Sequence, residues 1–375
     1  MPALLSKPDP EGLLEYSVVY TDRALNHMSQ RFQGVMKDIS RVLKTVYHAR
    51  SSVIVPGSGT FGMEAVARQF ATDRRCLIIR NGWFSFRWTQ ILEMGRMAAD
   101  VTVLKARRIG AGTQAPFAPV PIDEAVAVIR DTRPAVVFAP HVETSAGMIL
   151  PDDYLSAIGA AVREVDGLFV LDCIASGTVW VDMASSGVDV LISAPQKGWS
   201  GPPSCALIGL SDRARARIDG TTSTSFACDL KKWLQIMEAY EAGGHAYHAT
   251  MPTDALAALR DVMLEAEQYG FEKVAHEQKE LGRMVRELLV RKGFPSVAAE
   301  GFQAPGVVVS YTTDPVIQSG KAFLEAGLQI AAGVPLQCDE GADFRSFRIG
   351  LFGLDKLHNA SRTARSLEDA MKSFA

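Results

Sequence analysis

Leu168-Phe-Val-Leu-Asp172-Cys-Ile-Ala-Ser-Gly-Thr-Val-Trp180 and, shortly after it, Val188-Asp-Val-Leu-Ile-Ser-Ala-Pro-Gln-Lys197-Gly-Trp-Ser200 decide the fold. Each opens with an apolar run rich in branched side chains, the pattern of a strand buried on both faces of a parallel sheet. Each run then leads to a single ionisable residue, Asp172 in one and Lys197 in the other. In an open α/β sheet the ligand crevice lies beyond the carboxyl ends of the strands, so two opposite charges are expected to face one pocket.

Working outward, the same alternation runs back toward the amino terminus. Apolar residues from Phe32 to Val46 recur with a helical period and predict a helix over Gln30–Tyr47. Short strands are expected at Ser52–Val55, Cys76–Ile79, Val101–Leu104 and Ala135–Ala139, alternating with helices beginning near Met63, Trp83, Ile122 and Asp152. Cys205–Leu210 reads as a returning strand after the Gly201-Pro-Pro turn. The whole predicts an α/β chain with a large, doubly wound, mostly parallel sheet. Its loops at one end carry Thr60, Trp83, Phe84, Glu143, Thr144, Asp172 and Lys197.

A long helix, Asp254–Tyr269, leads out of this body. Beyond it the pattern gives a helix at Phe271–Lys292, strands at Gly306–Tyr311 and Phe344–Gly350, and helices at Pro315–Ala326 and Lys356–Phe374. That is a small α+β domain. The expected division is an amino-terminal arm (residues 1–25) with apolar Tyr16-Ser-Val-Val-Tyr20 packing onto the body, a large domain (26–260) and a small one (261–375).

The chain has 375 residues, 47% hydrophobic and 22% charged, with a formal charge of −3, so no basic field invites nucleic acid or an acidic membrane. The five scattered cysteines show no CxxC spacing for zinc or a disulfide framework, which points to a reducing compartment and to no metal centre. The start Met1-Pro-Ala-Leu-Leu lacks a signal-peptide apolar region, and no run approaches the roughly 18 apolar residues of a membrane span. The closing Ser373-Phe374-Ala375 is not a peroxisomal address. A cytoplasmic protein acting on small molecules is expected.

An aspartate and a lysine at neighbouring strand ends suit pyridoxal 5′-phosphate. The lysine forms a Schiff base with its aldehyde, and the aspartate partners its protonated pyridine nitrogen. A plain salt bridge at the sheet edge is the alternative. Ser52-Val-Ile-Val55 followed by Pro56-Gly57-Ser58-Gly59-Thr60 and a helical pattern gives strand, glycine loop and helix, an arrangement that binds phosphate through free backbone N–H groups and hydroxyls. The same sequence also fits a tight turn with a hydroxyl cap.

Together these motifs resemble the class V aminotransferases, fold type I enzymes that use pyridoxal phosphate, and most of all the alanine–glyoxylate and serine–pyruvate aminotransferases. Ser193-Ala-Pro-Gln196-Lys197 is similar to the family's Schiff-base segment and Val170-Leu-Asp172-Cys-Ile174-Ala-Ser to its pyridine-nitrogen segment. Gly57-Ser58-Gly59-Thr60 resembles the phosphate loop, which often carries histidine at the last position. Asn81-Gly-Trp83-Phe84-Ser-Phe-Arg87 resembles the segment whose aromatic residue, here Phe84, covers the cofactor ring. His141-Val-Glu-Thr144 is similar to the stretch whose hydroxyl meets the ring oxygen. Tyr247-His-Ala-Thr250 resembles a loop that in the family crosses a homodimer interface to the partner's cofactor phosphate. Phe347-Arg348-Ile-Gly350 resembles the segment whose arginine holds the substrate carboxylate. The resemblance implies catalytic Lys197 and Asp172. It implies a cofactor shell of Ser58, Gly59, Thr60, Phe84, Thr144, Asp172, Ile174, Gln196, Lys197, Tyr247 and Thr250, with Arg348 for substrate.

The departures border the substrate. The family's glycine-proline lip is missing, with Tyr16–Arg23 in its place, and the segment between Ala331 and Phe344, with Cys338-Asp339-Glu340 and Asp343, is unusually acidic, which makes Arg23 and Asp339 candidates for contact with substrate groups that alanine lacks. The expected reaction moves an amino group from a small amino acid to pyruvate or glyoxylate. A cysteine desulfurase or lyase using Cys338 on a flexible loop is the alternative on the same fold. A non-catalytic regulatory module lacks an attached basic segment.

Overall fold

The computed structural model describes residues 6–374. The first five residues of the expected arm and Ala375 lie outside the described residues.

The central sheet has seven strands: β1 (Ser51–Pro56), β2 (Arg75–Arg80), β3 (Asp100–Lys105), β4 (Val136–Pro140), β5 (Leu168–Asp172), β6 (Val190–Ser193) and β7 (Cys205–Leu210). Their order is β1-β7-β6-β5-β4-β2-β3. Only β7 runs against its neighbours, pairing antiparallel with both β1 and β6. Every residue of β4, β5, β6 and β7 is buried, as the unbroken apolar runs require for strands covered on both faces.

Helices α1 (Gln30–Tyr47), α2 (Gly59–Phe70), α3 (Trp83–Met94), α4 (Ile122–Thr132) and α5 (Asp152–Glu164) cover those faces. In α1, Ser29 accepts from Phe32 N to cap the start, and Phe32, Val35, Met36, Ile39, Val42 and Leu43 are buried. Trp88 of α3 stacks on Phe138 of β4 with ring centroids 4.3 Å apart. Two close approaches depend on glycine. A Cβ on Gly59 would come within 2.5 Å of Ile174 Cδ1, and one on Gly82 within 2.1 Å of Ser145 Oγ. These two glycines therefore let α2 and α3 press their amino-terminal ends against the loops after β5 and β4.

Beyond α6 (Leu230–Glu241) runs the long helix α7 (Thr253–Tyr269), which touches two cores. Leu256, Leu259 and Met263 pack into the core of the large sheet, while Ala266 belongs to a second core with Val285, Phe323 and Phe347. The second core lies against α8 (Phe271–Arg291) and a three-stranded sheet of β8 (Val307–Tyr311), β9 (Ala331–Ala332) and β10 (Ser346–Gly350), in the order β8-β10-β9. Two expected helices are interrupted. Pro315–Ala326 breaks into Pro315–Gln318 and Lys321–Glu325 because Gly320 turns the chain at φ +80°. The closing helix begins as Leu354–Leu357, breaks at His358 and Asn359, and resumes as α9 (Ala360–Met371).

The arm packs less than its apolar run predicts. Tyr20 reaches the body, its hydroxyl donating to Met251 O at 3.1 Å, but Tyr16 and Val18 point away, 90% and 102% exposed. No helix among the described residues is long and apolar enough to cross a membrane.

Candidate active site

β5 and β6 are hydrogen-bonded neighbours running in parallel, so Asp172 and the loop carrying Lys197 emerge side by side at their carboxyl ends. Asp172 is buried, and among the described residues its carboxylate accepts a single hydrogen bond, from Ile174 N at 2.9 Å. Burial pushes its carboxyl up to about 7, and Glu143 adds to the rise, against the pull of the Ile174 N–H, Arg87 and Lys197. The side chain is thus an acid without a hydrogen-bonded cation. Lys197 is half-buried and has no carboxylate partner among the described ion pairs; its ammonium is held below the usual lysine range by burial and by Arg348, with Asp172 opposing. The sheet-edge salt bridge does not form.

The phosphate loop sits beside them. Ser58 is the residue before α2, yet its hydroxyl makes no capping bond, so both it and the first N–H groups of the helix remain available to a ligand. Gly59 lies directly on Ile174 and against Ala194, which ties this helix end to the end of β5 and to the loop that carries Lys197. Thr60 Oγ1 accepts from Arg87 Nη1 at 3.0 Å.

Phe84 is placed by a residue with no role expected from the motifs. Glu143 is fully buried, and its carboxylate sits on the amino-terminal end of α3, accepting from Phe84 N (3.2 Å), Ser85 N (2.8 Å) and Ser85 Oγ (2.7 Å). It also accepts from Ser145 N and Oγ, and Ser145 Oγ in turn accepts from Trp83 N. An anion at a helix start is favoured by the helix dipole and pairs its orphan donors. The result fixes Phe84 and, through its flanking neighbours, the buried Thr144 in one frame. Around the Phe84 ring stand two guanidiniums, Arg87 at 5.2 Å and Arg348 at 5.5 Å from the centroid.

Arg348 lies on β10 opposite Val309 and Ala331, half-buried. Its Nε donates to Ala332 O at 2.8 Å, and it has no carboxylate partner among the described ion pairs. Phe352, also unassigned from sequence, has Lys197 Nζ 5.1 Å from its ring centre. A cavity of about 390 Å³ opens there, lined by Gln196, Lys197, Ser200, Val262, Phe352 and Leu354.

Tyr247 and Thr250 are elsewhere. Their hydroxyls lie 3.2 Å apart on the surface, the Tyr247 ring packs near His27, and neither hydroxyl bonds a crevice residue of the same chain among the described hydrogen bonds. Arg23 is exposed, and Asp339 pairs with Lys105 at 2.8 Å, so neither is bonded to a crevice residue. Cys338 does not ride a flexible loop tip. Its thiol is buried, lies 3.4 Å from Arg80 O, and is pushed up to about 12 by burial and by Glu143 and Glu340. All five cysteines are free and buried.

These residues fit pyridoxal phosphate. The unpaired acid of Asp172 suits a protonated pyridine nitrogen, the unclaimed helix start at Ser58–Thr60 a phosphate, and the unpaired Lys197 amine an aldehyde.

The fold is that of the fold type I transferases that use pyridoxal phosphate. In sequence the chain is similar to alanine–glyoxylate aminotransferases: it is 28% identical to alanine–glyoxylate aminotransferase 1 of Saccharomyces cerevisiae over 342 residues, covering 83% of this chain and 82% of that protein. The solved alanine–glyoxylate aminotransferase of a Nostoc species superimposes with a TM-score of 0.77 over 92% of this chain and 89% of that one, at 22% identity. A cysteine desulfurase of Thermococcus onnurineus is more distant, with a TM-score of 0.66 and 12% identity over 92% of this chain and 84% of that one. No family model matches the chain.

Proposed function

We propose that the protein is a pyridoxal phosphate-dependent aminotransferase that passes the amino group of a small amino acid, of the alanine or serine kind, to a small 2-oxo acid such as pyruvate or glyoxylate. The observation that carries this reading is the unpaired Lys197 amine beside the singly bonded Asp172 carboxyl at adjacent parallel strand ends. When bound, the cofactor supplies an aldehyde that accepts the amino group and a ring that takes up the electron pair left at the substrate α-carbon. Lys197 Nζ, its proton affinity lowered by burial and Arg348, would take the proton from the substrate α-carbon and deliver it to the carbon that carries the cofactor's aldehyde group. Asp172 accepts a hydrogen bond from the pyridine N–H, which restores the charge that burial alone disfavours. Phe84, Thr144 and Ile174 would hold the cofactor's ring, and Ser58, Gly59, Thr60 and Gln196 would hold its phosphate. Arg348 grips the substrate carboxylate with a planar fork.

The active unit in this reading is a homodimer in which Tyr247 and Thr250 complete the partner's phosphate site. Their surface position and the exposed Leu13, Leu14, Tyr16 and Val18 support it. We place the domain boundary inside α7, with residues 26–260 in the large domain and 261–375 in the small one; in support, the helix touches both cores, its buried residues passing from one to the other between Met263 and Ala266. Five reduced cysteines accord with a cytoplasmic setting. The desulfurase reading loses its thiol, because a buried group pushed to about 12 is a poor sulfur acceptor.

The reading is tested by incubating the protein with pyridoxal phosphate, reducing with borohydride and mapping the adduct, then offering a panel of amino donors with pyruvate or glyoxylate. Adduct on Lys197 and turnover of a small donor are expected. An adduct on another lysine overturns the site.

A further inference from the structure

Three cations reach the crevice, Lys197, Arg87 and Arg348, and none has a carboxylate partner among the described ion pairs. Two have tasks in the proposed reaction: Lys197 at the aldehyde and Arg348 at the substrate carboxylate. The loop Pro56-Gly57-Ser58-Gly59-Thr60 contains no charge of its own, although a phosphate carries more than one negative charge near neutrality. Hydroxyls and a helix start supply partial charges only, of roughly half a unit at the helix terminus. The third cation stands at that loop. Arg87 leaves α3 one turn beyond Phe84, passes 5.2 Å from its ring centre and donates Nη1 to Thr60 Oγ1 at 3.0 Å.

We propose that Arg87 is the cationic member of the phosphate site, oriented by Thr60 and the Phe84 face so that its remaining N–H donors meet the cofactor's phosphate. The assignment rests on the function proposed above. A guanidinium has five donors in a fixed fork, so one bond to Thr60 leaves the others free for phosphate oxygens. The threonine belongs to the same device, because its hydroxyl receives one N–H of the arginine and so sets the direction of the others.

The test compares two probes, pyridoxal phosphate and pyridoxal, which share the aldehyde and the ring and differ only in the phosphate. Their affinities for cofactor-free wild type, Arg87→Met and Arg87→Lys are measured by visible absorption and tryptophan quenching, without any turnover. Methionine keeps the packing on Phe84, and thermal unfolding checks that the variants fold. In Arg87→Met the phosphate ester is expected to bind roughly 10- to 100-fold more weakly, the loss typical of a hydrogen bond to a charged group, with pyridoxal nearly unchanged. Arg87→Lys should recover part of the difference. Equal losses for both probes would mean that Arg87 merely positions Phe84 or Asp172, and would overturn this assignment alone. Failure of wild type to bind either probe would overturn the reading of the site, and the assignment with it.

Discussion

The floor of the crevice and its rim are built differently. On the floor, Asp172 and Glu143 are buried, Lys197 half so, and the parallel register of β4, β5 and β6 sets their spacing. On the rim, the Arg348 side chain is tied to its small three-stranded sheet by a bond to Ala332 O, and the Tyr247 and Thr250 hydroxyls meet each other at the surface. A rigid sheet can hold a cofactor within one chain, whereas gripping and releasing a substrate needs parts that move or come from a neighbour. The contrast predicts that floor changes disable chemistry, that rim changes disable substrate handling, and that part of the rim can be supplied in trans.

Arg348→Ala gives the largest rim effect. Removing one partner of a buried, bidentate ion pair costs about 3–5 kcal/mol, or roughly two to four powers of ten in kcat/KM. Cofactor binding should be unaffected, and Arg348→Lys should recover only part of the loss because an ammonium lacks the planar fork. Single-turnover reaction with alanine or serine measures this, alongside Arg23→Ala. If Arg23→Ala is the slow variant and Arg348→Ala is not, the rim has been assigned to the wrong arginine.

Asp172→Asn probes the floor in two ways. Loss of a charge-assisted hydrogen bond of about 1.5–3 kcal/mol lowers turnover at least roughly tenfold, with cofactor still bound. The same variant should change the pH dependence of stability. The folded carboxyl keeps its proton up to about 7, while the unfolded one releases it near the ordinary carboxylate value, so the folded state binds the extra proton between these limits. Stability of the cofactor-free wild type therefore falls as pH rises through that window and levels off above it, by an amount on the order of a few kcal/mol. Urea unfolding of Asp172→Asn should lack this fall. An identical pH slope in both proteins would show that Asp172 is not the strained acid of the floor.

That floor was the legible half of the molecule. Apolar runs that end on isolated charges announce buried strands and their ligand end, so β5, β6, Asp172 and Lys197 followed directly from the pattern. Glu143 was visible in its loop, but its role was not, because a carboxylate that caps α3 from a distant strand end leaves no periodic or spacing signal. Arg87 was likewise hidden by its position on a helix face, where a half-exposed arginine usually means only solvation. The small domain is less legible in its sequence. Ala331–Ala332 is too short and featureless to announce β9, and the break at Gly320 lay inside a pattern that otherwise read as one helix.

The surface pair Tyr247 and Thr250 makes a more moderate prediction. Lys197→Ala and a Thr250→Ala/Tyr247→Phe double variant should each be inactive or severely impaired alone. Statistical subunit exchange puts about a quarter of all sites in the one pairing that has both intact parts, so activity should return toward that fraction. The measurement is turnover after mixing, with exchange shown by mass-tagged chains. No recovery despite exchange would make the site complete within one chain and erase the distinction between floor and borrowed rim.

The smallest expected effect is that of Cys338→Ser, and it separates the proposed chemistry from sulfur chemistry on the same fold. Cys338 borders the rim, yet its thiol is buried and close to the Arg80 and Leu336 carbonyls at 3.4 and 3.7 Å. A hydroxyl can donate to the same carbonyl, so the substitution removes little beyond the volume of one sulfur. A thiol pushed up to about 12 is protonated at neutral pH and is neither a nucleophile nor a sulfur carrier there. The variant should transaminate within about twofold of wild type, as substitutions that leave packing and bonds in place usually do. Alkylation of the folded wild type at this cysteine should be slow. Sulfide released from L-cysteine by wild type and lost in Cys338→Ser would reverse the reading, because it would require the segment around Cys338 to swing out and bring its sulfur to the substrate.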